Sequence, residues 1–120
     1  MDRPTPVRII HGGPRDMEDI RAYTGTLVLD LSLPHAASLK DRRKSLRSLI
    51  DRLLQMDFAV AQIGPADLAQ RAFVAVSAVT GNASRLDERL DEAERIVFQS
   101  EFDVRVRYRD TASWSDSSRS

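Results

Sequence analysis

Four strand-like patterns and two helix-like patterns follow one another in a fixed order, and this order restricts the fold more than any other feature of the chain. Residues 26–33 read TLVLDLSL, with leucine at every second position, which is the period of a half-buried strand. Apolar residues at spacings of three and four predict two helices. The predicted elements are strands at 26–33, 58–63, 71–80 and 102–109 and helices at 38–56 and 83–99.

This order predicts an α+β fold of the ferredoxin-like βαββαβ type, a two-layer sandwich in which both helices cover one face of a four-stranded antiparallel sheet. Right-handed crossovers place the first and third strands in the centre, which gives the spatial order 4-1-3-2. The third strand, 71–80, is apolar at both parities, as expected for a central strand. The last strand, 102–109, alternates arginine with apolar residues, as expected at an edge.

The two ends of the chain differ in composition from the middle. Residues 1–21 mix proline, glycine and both signs of charge, which predicts a flexible N-terminal extension. Residues 111–120 are Ser-rich and predict a disordered C-terminal tail, unless Trp114 holds that tail in a surface groove. The ferredoxin-like domain is therefore expected at 22–110. No apolar run is long enough for a membrane span or a signal peptide, so we expect a cytoplasmic protein that does not bind membranes.

The sequence shows no catalytic residues and no metal-binding set. Cysteine is absent, and neither His11 nor His35 has a partner at a spacing typical of metal coordination or nucleophilic catalysis. The acids of the second predicted helix alternate with arginines at i,i+3 and i,i+4 spacings, which is typical of a solvated helix face. We therefore expect a protein that is not an enzyme and uses no cofactor.

The first predicted helix is the strongest candidate for a binding surface. The chain has no net charge, yet residues 40–47 contain five bases and one acid. On a helical wheel the bases lie away from the leucines, except that Arg42 falls near the buried side. This pattern predicts phosphate contacts with structured RNA or the ribosome, and a merely solvated face is the alternative. The predicted nucleic-acid-binding residues are Lys40, Arg43, Lys44, Arg47 and Arg71.

The helix-free face of the predicted sheet is a second candidate surface. It presents Val28, Asp30 and Phe73 among small residues, and it lacks the aromatic platform of a classical RNA-recognition sheet. The helices cover only the other side of the sheet. The apolar residues on the helix-free face are therefore expected to be covered by another segment or another molecule. The sequence predicts either a homo-oligomer, in which a second copy covers the face, or a cover formed by the apolar segment 7–10.

The segment 64–71 connects the second and third predicted strands and is longer than a tight hairpin requires. We expect Asp67 to cap a local turn or to pair with Arg71, while Leu68 packs inward. In the functional alternative, Gln70 and Arg71 form a polar recognition edge.

Two motifs in succession, SLKDRR at the start of the first helix and GPADLAQRA before the third strand, resemble the YlxP-like family, a bacterial domain of unknown function. The resemblance extends over about residues 24–109, with Gln62 and Ala69 where the family pattern has Glu and Trp. It implies a ferredoxin-like fold and, because some members' genes lie beside those of translation factors, an association with RNA or ribosomes. The matching residues are Ser38, Leu39, Lys40, Asp41, Arg42, Arg43, Gly64, Asp67, Gln70, Arg71 and Ala72.

Overall fold

The computed structural model describes residues 20–116, and its elements follow the predicted order. The elements are β1 (Arg21–Ser32), α1 (Leu39–Gln55), β2 (Ala59–Ile63), β3 (Arg71–Thr80), α2 (Ala83–Phe98) and β4 (Asp103–Ser115). All neighbouring strands are antiparallel, and the sheet order is β2-β3-β1-β4. The ferredoxin-like α+β fold with strand order 4-1-3-2 is therefore confirmed.

Both helices begin at a polar residue that binds the free amides of the first turn. The Ser38 hydroxyl accepts a hydrogen bond from the Asp41 amide at 3.2 Å, and the Asp41 carboxylate accepts one from the Ala37 amide at 3.2 Å. The Asn82 side chain accepts a hydrogen bond from the Arg85 amide at 3.0 Å. These contacts satisfy donors that have no partner within the helix, which explains where each helix starts.

The hydrophobic core lies between the two helices and one face of the sheet. Alternate residues of the central strands β1 and β3 lie on this face, and they pack against the apolar stripes of α1 and α2. Gly25 of β1 lies close to α2, because a Cβ atom there would be 2.7 Å from Leu90 Cδ1. The fully buried residues of this core include Leu27, Leu29, Leu31, Leu53, Val74, Val76, Leu90 and Val97.

The strand β4 is longer than the sequence predicts. Residues 111–115, which composition assigned to the C-terminal tail, continue β4 and pair with the start of β1; Trp114, for example, lies opposite Ala22. Residues 111–115 form a strand because they pair with a strand that is distant in sequence, and amino-acid composition carries no information about such pairing. The Trp114 side chain is 57% exposed, so it does not lie in a groove. Arg21, the last residue of the predicted N-terminal extension, begins β1. The prediction of flexibility for the rest of that extension, the prediction for its apolar segment 7–10 and the prediction for the end of the tail, 117–120, concern residues 1–19 and 117–120, which lie outside the described residues.

Neither helix in the described part of the chain has the length and apolar character needed to cross a membrane.

Candidate functional site

Four basic side chains form one exposed surface on α1, which we call the basic stripe: Lys40, Arg43, Lys44 and Arg47. All four line the same shallow surface depression. None of them makes an ion pair or a side-chain hydrogen bond with another residue in 20–116. The structure thus brings together four of the five residues predicted to bind nucleic acid, with their charges unpaired by the described protein.

The charges on α2 are arranged differently, because most of its acids have a basic partner. Two partners lie on the helix itself, as the spacing predicts, and the third is Arg109 of β4, which sequence reasoning missed. Hydrogen bonding to the Glu94 carboxylate raises the pKa of Arg109. These pairs give the acids of α2 basic partners, whereas the four bases of the basic stripe have no acidic partner among the described residues. The paired side chains are Arg85–Glu88 (3.3 Å), Arg89–Glu92 (2.8 Å), Arg109–Asp91 (2.9 Å) and Arg109–Glu94 (2.9 Å).

Arg42 lies on the buried side of α1, as the helical wheel predicts, and is only 1% exposed. Its Nη2 donates a hydrogen bond to the Ala66 carbonyl at 2.8 Å. Its Nε and Nη1 are also buried, and they have no hydrogen-bond partner within the described residues. A guanidinium group stays charged at any physiological pH, so this arrangement leaves a buried cation with incomplete compensation.

Arg42 also lines a groove of about 450 Å³, which we call the α1–β2 groove. Arg43 and Arg47 of the basic stripe contribute to its wall, and Gln62 contributes from β2. Asp51 is the acid of this lining, so the groove carries three guanidinium groups against one carboxylate. The groove is therefore suited to a negatively charged group.

Arg71, the fifth predicted residue, lies on the other side of the sheet and does not join the basic stripe. Its Nε donates to Asp30 Oδ1 at 3.0 Å, and its Nη2 donates to Asp30 Oδ2 at 2.8 Å. Arg107 Nη1 lies 3.6 Å from the same carboxylate. Hydrogen bonding from Arg71 holds the pKa of Asp30 below its ordinary value. Arg71 thus has a structural partner, and sequence reasoning missed the role of Asp30 as that partner.

The segment 64–70 holds the β2–β3 connection against the start of α1. The Leu33 amide donates to the Gln70 carbonyl at 2.8 Å, and the Gln70 side-chain amide donates to the Ala36 carbonyl at 3.2 Å. Gly64 has a positive φ of 73°, a conformation that favours glycine. Gln70 therefore connects the β2–β3 loop to the β1–α1 loop through hydrogen bonds.

Two expectations for this segment are wrong. Leu68 is 37% exposed instead of packing inward. Asp67 makes no side-chain hydrogen bond to any described residue, and Arg71 pairs with Asp30 instead. The reason is geometric: Arg71 begins β3 and lies diagonally across the sheet from Asp30, since Asp30 is opposite Phe73 and Arg71 is opposite Ser32.

The helix-free face of the sheet, which we call the open face, has a charged end and an apolar end. At the charged end the Arg71 guanidinium carbon lies 5.1 Å from the centre of the Phe73 ring. At the apolar end Val79 is 70% exposed, close to Thr24, and Trp114 lies across β1 from it. Phe73 is the aromatic residue that the central strands present on this face, and Tyr108 and Trp114 lie on the edge strand β4, so the face lacks the central-strand aromatics of a classical RNA-recognition sheet.

The geometry of histidine and the acids supports no metal centre in the part of the chain that the structure describes. No three of these side chains converge closely enough to hold a metal ion. His35 is exposed in the loop between β1 and α1.

Comparisons with known proteins identify the family to which the chain belongs. No curated protein matches the chain. Among solved structures, a chain described as "De novo designed protein Ferredog-Diesel" has a TM-score of 0.41 and 12% sequence identity, and the match covers 90% of this chain and 98% of that chain. The family described as "Protein of unknown function (DUF503)" matches residues 24–109, which is most of the chain and agrees with the YlxP-like resemblance. The chain belongs to this family of unknown function.

Proposed function

We propose that the protein binds the phosphate backbone of structured RNA, free or within the ribosome, through the basic stripe on α1. It does so as a non-enzymatic cytoplasmic protein. One observation carries this proposal: four exposed cations lie together on one helix, and none has an ion-pair partner within the described residues. Elsewhere on the described surface, Arg71, Arg85, Arg89 and Arg109 are paired with acids, and no comparable group of unpaired bases lies on one stripe of α2.

The arrangement has a cost that a polyanion would remove. Lys40 and Lys44, and likewise Arg43 and Arg47, are four residues apart on α1, where like charges each destabilise a helix by about 0.2–0.5 kcal/mol. Phosphates placed along the stripe would replace this repulsion with attraction and would release condensed counterions. The stripe is thus better suited to a row of phosphates than to water alone.

Binding by this surface is expected to be insensitive to RNA sequence. Lysine and arginine contacts to phosphate oxygens fix position but do not distinguish bases. The open face lacks the aromatics that classical RNA-recognition sheets carry on their central strands, because Phe73 is the aromatic residue that β1 and β3 present there. We therefore expect recognition of RNA shape and charge.

The experiment is fluorescence anisotropy with a structured RNA and the variant K40E/K44E/R47E. For four phosphate contacts, the wild-type log–log slope of affinity against salt concentration should be about −3 to −4. The triple variant should lose measurable binding at physiological salt. Its circular dichroism spectrum should match the wild type, because all three side chains are exposed.

The matched control is R52E/R85E/R95E, which changes the net charge by the same amount at three exposed positions outside the stripe. It should retain binding to within a few-fold. Equal loss in both triple variants would show a non-specific charge effect, and retained binding by K40E/K44E/R47E would refute the proposal.

A second function is favoured by the open face. Val79, Trp114 and Tyr108 are each at least half exposed there, although they are large apolar or aromatic side chains. Exposed apolar surface of this kind is typical of an interaction site. A homo-oligomeric scaffold that uses this face is the alternative to the RNA-binding proposal.

A further inference from the structure

The buried guanidinium of Arg42 lacks a counter-charge. Two of its three nitrogens have no acceptor in residues 20–116, and the third donates to a neutral carbonyl. Buried polar groups in folded proteins are almost always hydrogen-bonded, and a buried cation without an anion is costly. Asp41, its neighbour in sequence, is engaged with the Ala37 amide at the helix start and so is directed elsewhere.

The α1–β2 groove gives an anion a way to this group. Arg42, Arg43 and Arg47 line it together, and the Gln62 side chain adds an amide that can donate a hydrogen bond. The groove has a volume of about 450 Å³ and is partly open to solvent, so an anion can enter it. A tetrahedral oxyanion therefore fits the groove both in size and in charge.

The Ala66 carbonyl is the group that such an anion would replace. It lies in the exposed segment 64–70 and accepts the hydrogen bond of Arg42 Nη2 at 2.8 Å. An oxyanion adds charge attraction to the hydrogen bond and can accept two parallel bonds from one guanidinium, whereas the neutral carbonyl accepts only one here. An oxyanion would thus replace the Ala66 carbonyl as the acceptor of Arg42 Nη2 and would also accept hydrogen bonds from Nε and Nη1. The segment around Ala66 would then be displaced.

We propose that the α1–β2 groove binds a terminal phosphate group, with Arg42 as its buried ligand and Arg43 and Arg47 at its rim. The recessed position of Arg42 selects a projecting group over a diester, which is flanked by sugars on both sides. The phosphate group is either inorganic phosphate or the monoester at the end of an RNA. The second case rests on the proposed function, because the basic stripe would hold the adjoining backbone.

The decisive variant is Gln62→Glu, which adds a carboxylate to the wall of the groove. It should compete with phosphate for Arg42 and stabilise the fold by supplying the missing counter-charge. The matched control is Ala61→Glu, the same change in charge one residue earlier, at an exposed position on the opposite face of β2. Arg42 itself is a poor test position, since its replacement removes a buried side chain and risks unfolding.

Isothermal titration calorimetry with inorganic phosphate tests the pocket directly, against sodium chloride of equal ionic strength. Wild type and A61E should bind phosphate, and Q62E should bind at least about tenfold more weakly, the effect of losing one charge-assisted hydrogen bond. The amide resonance of Ala66 should shift on titration of wild type. Absence of phosphate binding by wild type, or equal binding by Q62E and A61E, would overturn the proposal.

A second arm compares one RNA oligonucleotide with a 5′-phosphate and with a 5′-hydroxyl end. Wild type should prefer the phosphorylated form by about tenfold, and Q62E should lose this preference. Binding of inorganic phosphate without this preference would assign the groove to free phosphate. The 5′-hydroxyl RNA reports on the basic stripe alone, so its affinity tests the proposed function separately.

Discussion

Replacing Arg71 by methionine removes both hydrogen bonds to Asp30 while keeping most of the aliphatic part of the side chain. In the folded protein these bonds are 3.0 and 2.8 Å long, and the Asp30 side chain is only 7% exposed. The substitution leaves a buried carboxylate with Arg107, at 3.6 Å, as its remaining ion-pair partner. The expected result is a less stable protein whose RNA affinity is unchanged.

The size of the effect follows from the exposure of the two partners. Hydrogen bonds to charged groups contribute about 1.5–3 kcal/mol when buried. Arg71 is 50% exposed, so solvent screens part of the interaction, and Arg107 compensates another part. We expect R71M to lower the free energy of unfolding by about 1–2 kcal/mol. Each kcal/mol lowers the melting temperature of a domain of this size by roughly 4–8 °C.

The pH dependence has a defined sign, because Arg71 lowers the pKa of Asp30 in the folded state. A carboxyl group with a lowered folded-state pKa contributes stability that is complete above the unfolded-state pKa, about 3.9. The contribution is lost as the pH falls from that value through the lowered folded-state pKa. The stability difference between wild type and R71M should therefore be constant near pH 7 and should shrink below about pH 4.

Urea denaturation of wild type, R71M, D30N and the double variant at pH 7 and pH 3 measures these quantities. The double-mutant cycle should give a coupling of about 1 kcal/mol at pH 7 and a smaller one at pH 3. A coupling near zero at pH 7 would refute the structural role of the pair. Weaker RNA binding by R71M with unchanged stability would instead return Arg71 to the nucleic-acid site.

The remaining predictions concern packing and assembly. Gly25→Ala should lower the free energy of unfolding, measured by urea denaturation, by about 1–3 kcal/mol, because its Cβ would lie 2.7 Å from the buried Leu90. The control is Gly81→Ala, which has no atom within 4 Å of the added carbon and should change this free energy by less than about 0.5 kcal/mol. If the open face joins two copies, light scattering should show a concentration-dependent dimer that Val79→Glu dissociates, and a strict monomer at all concentrations would exclude this assembly.

Periodicity is sufficient to predict the fold because the repeats of the strands and helices are local. Alternate leucines from Leu27 to Leu33 face the core, and the apolar stripe of α1 includes the fully buried Leu53. The extent of β4 is different, since its residues 111–115 are strand only through pairing with β1, about 90 positions earlier in the chain. No local pattern in a Ser-rich segment reports such a pairing.

The candidate site is predictable to the same degree and for the same reason. The basic stripe follows from helical spacing alone, and so does the buried position of Arg42. The cluster of Asp30 with Arg71 and Arg107 cannot be predicted from local spacing, because it depends on the register of three strands. The register of β1 and β4 shifts between Val28 and Leu29, and this irregularity leaves Arg107 without a partner position and brings it close to Asp30.

The family motif contains residues of two kinds, and the structure separates them. Ser38 and Asp41 start α1, Gln70 ties two loops together, and Arg71 pairs with Asp30. In this protein these contacts stabilise the fold, whatever the protein binds. Three further motif residues remain incompletely explained by the fold, because Lys40 and Arg43 are unpaired within residues 20–116 and Arg42 is paired only in part. These three lie within one turn of α1, and Arg42 and Arg43 line the α1–β2 groove. Within the described residues the fold supplies no acidic partner for Lys40 and Arg43 and only a neutral carbonyl for Arg42, so the binding experiments on α1 decide between a bound anion and a solvated surface.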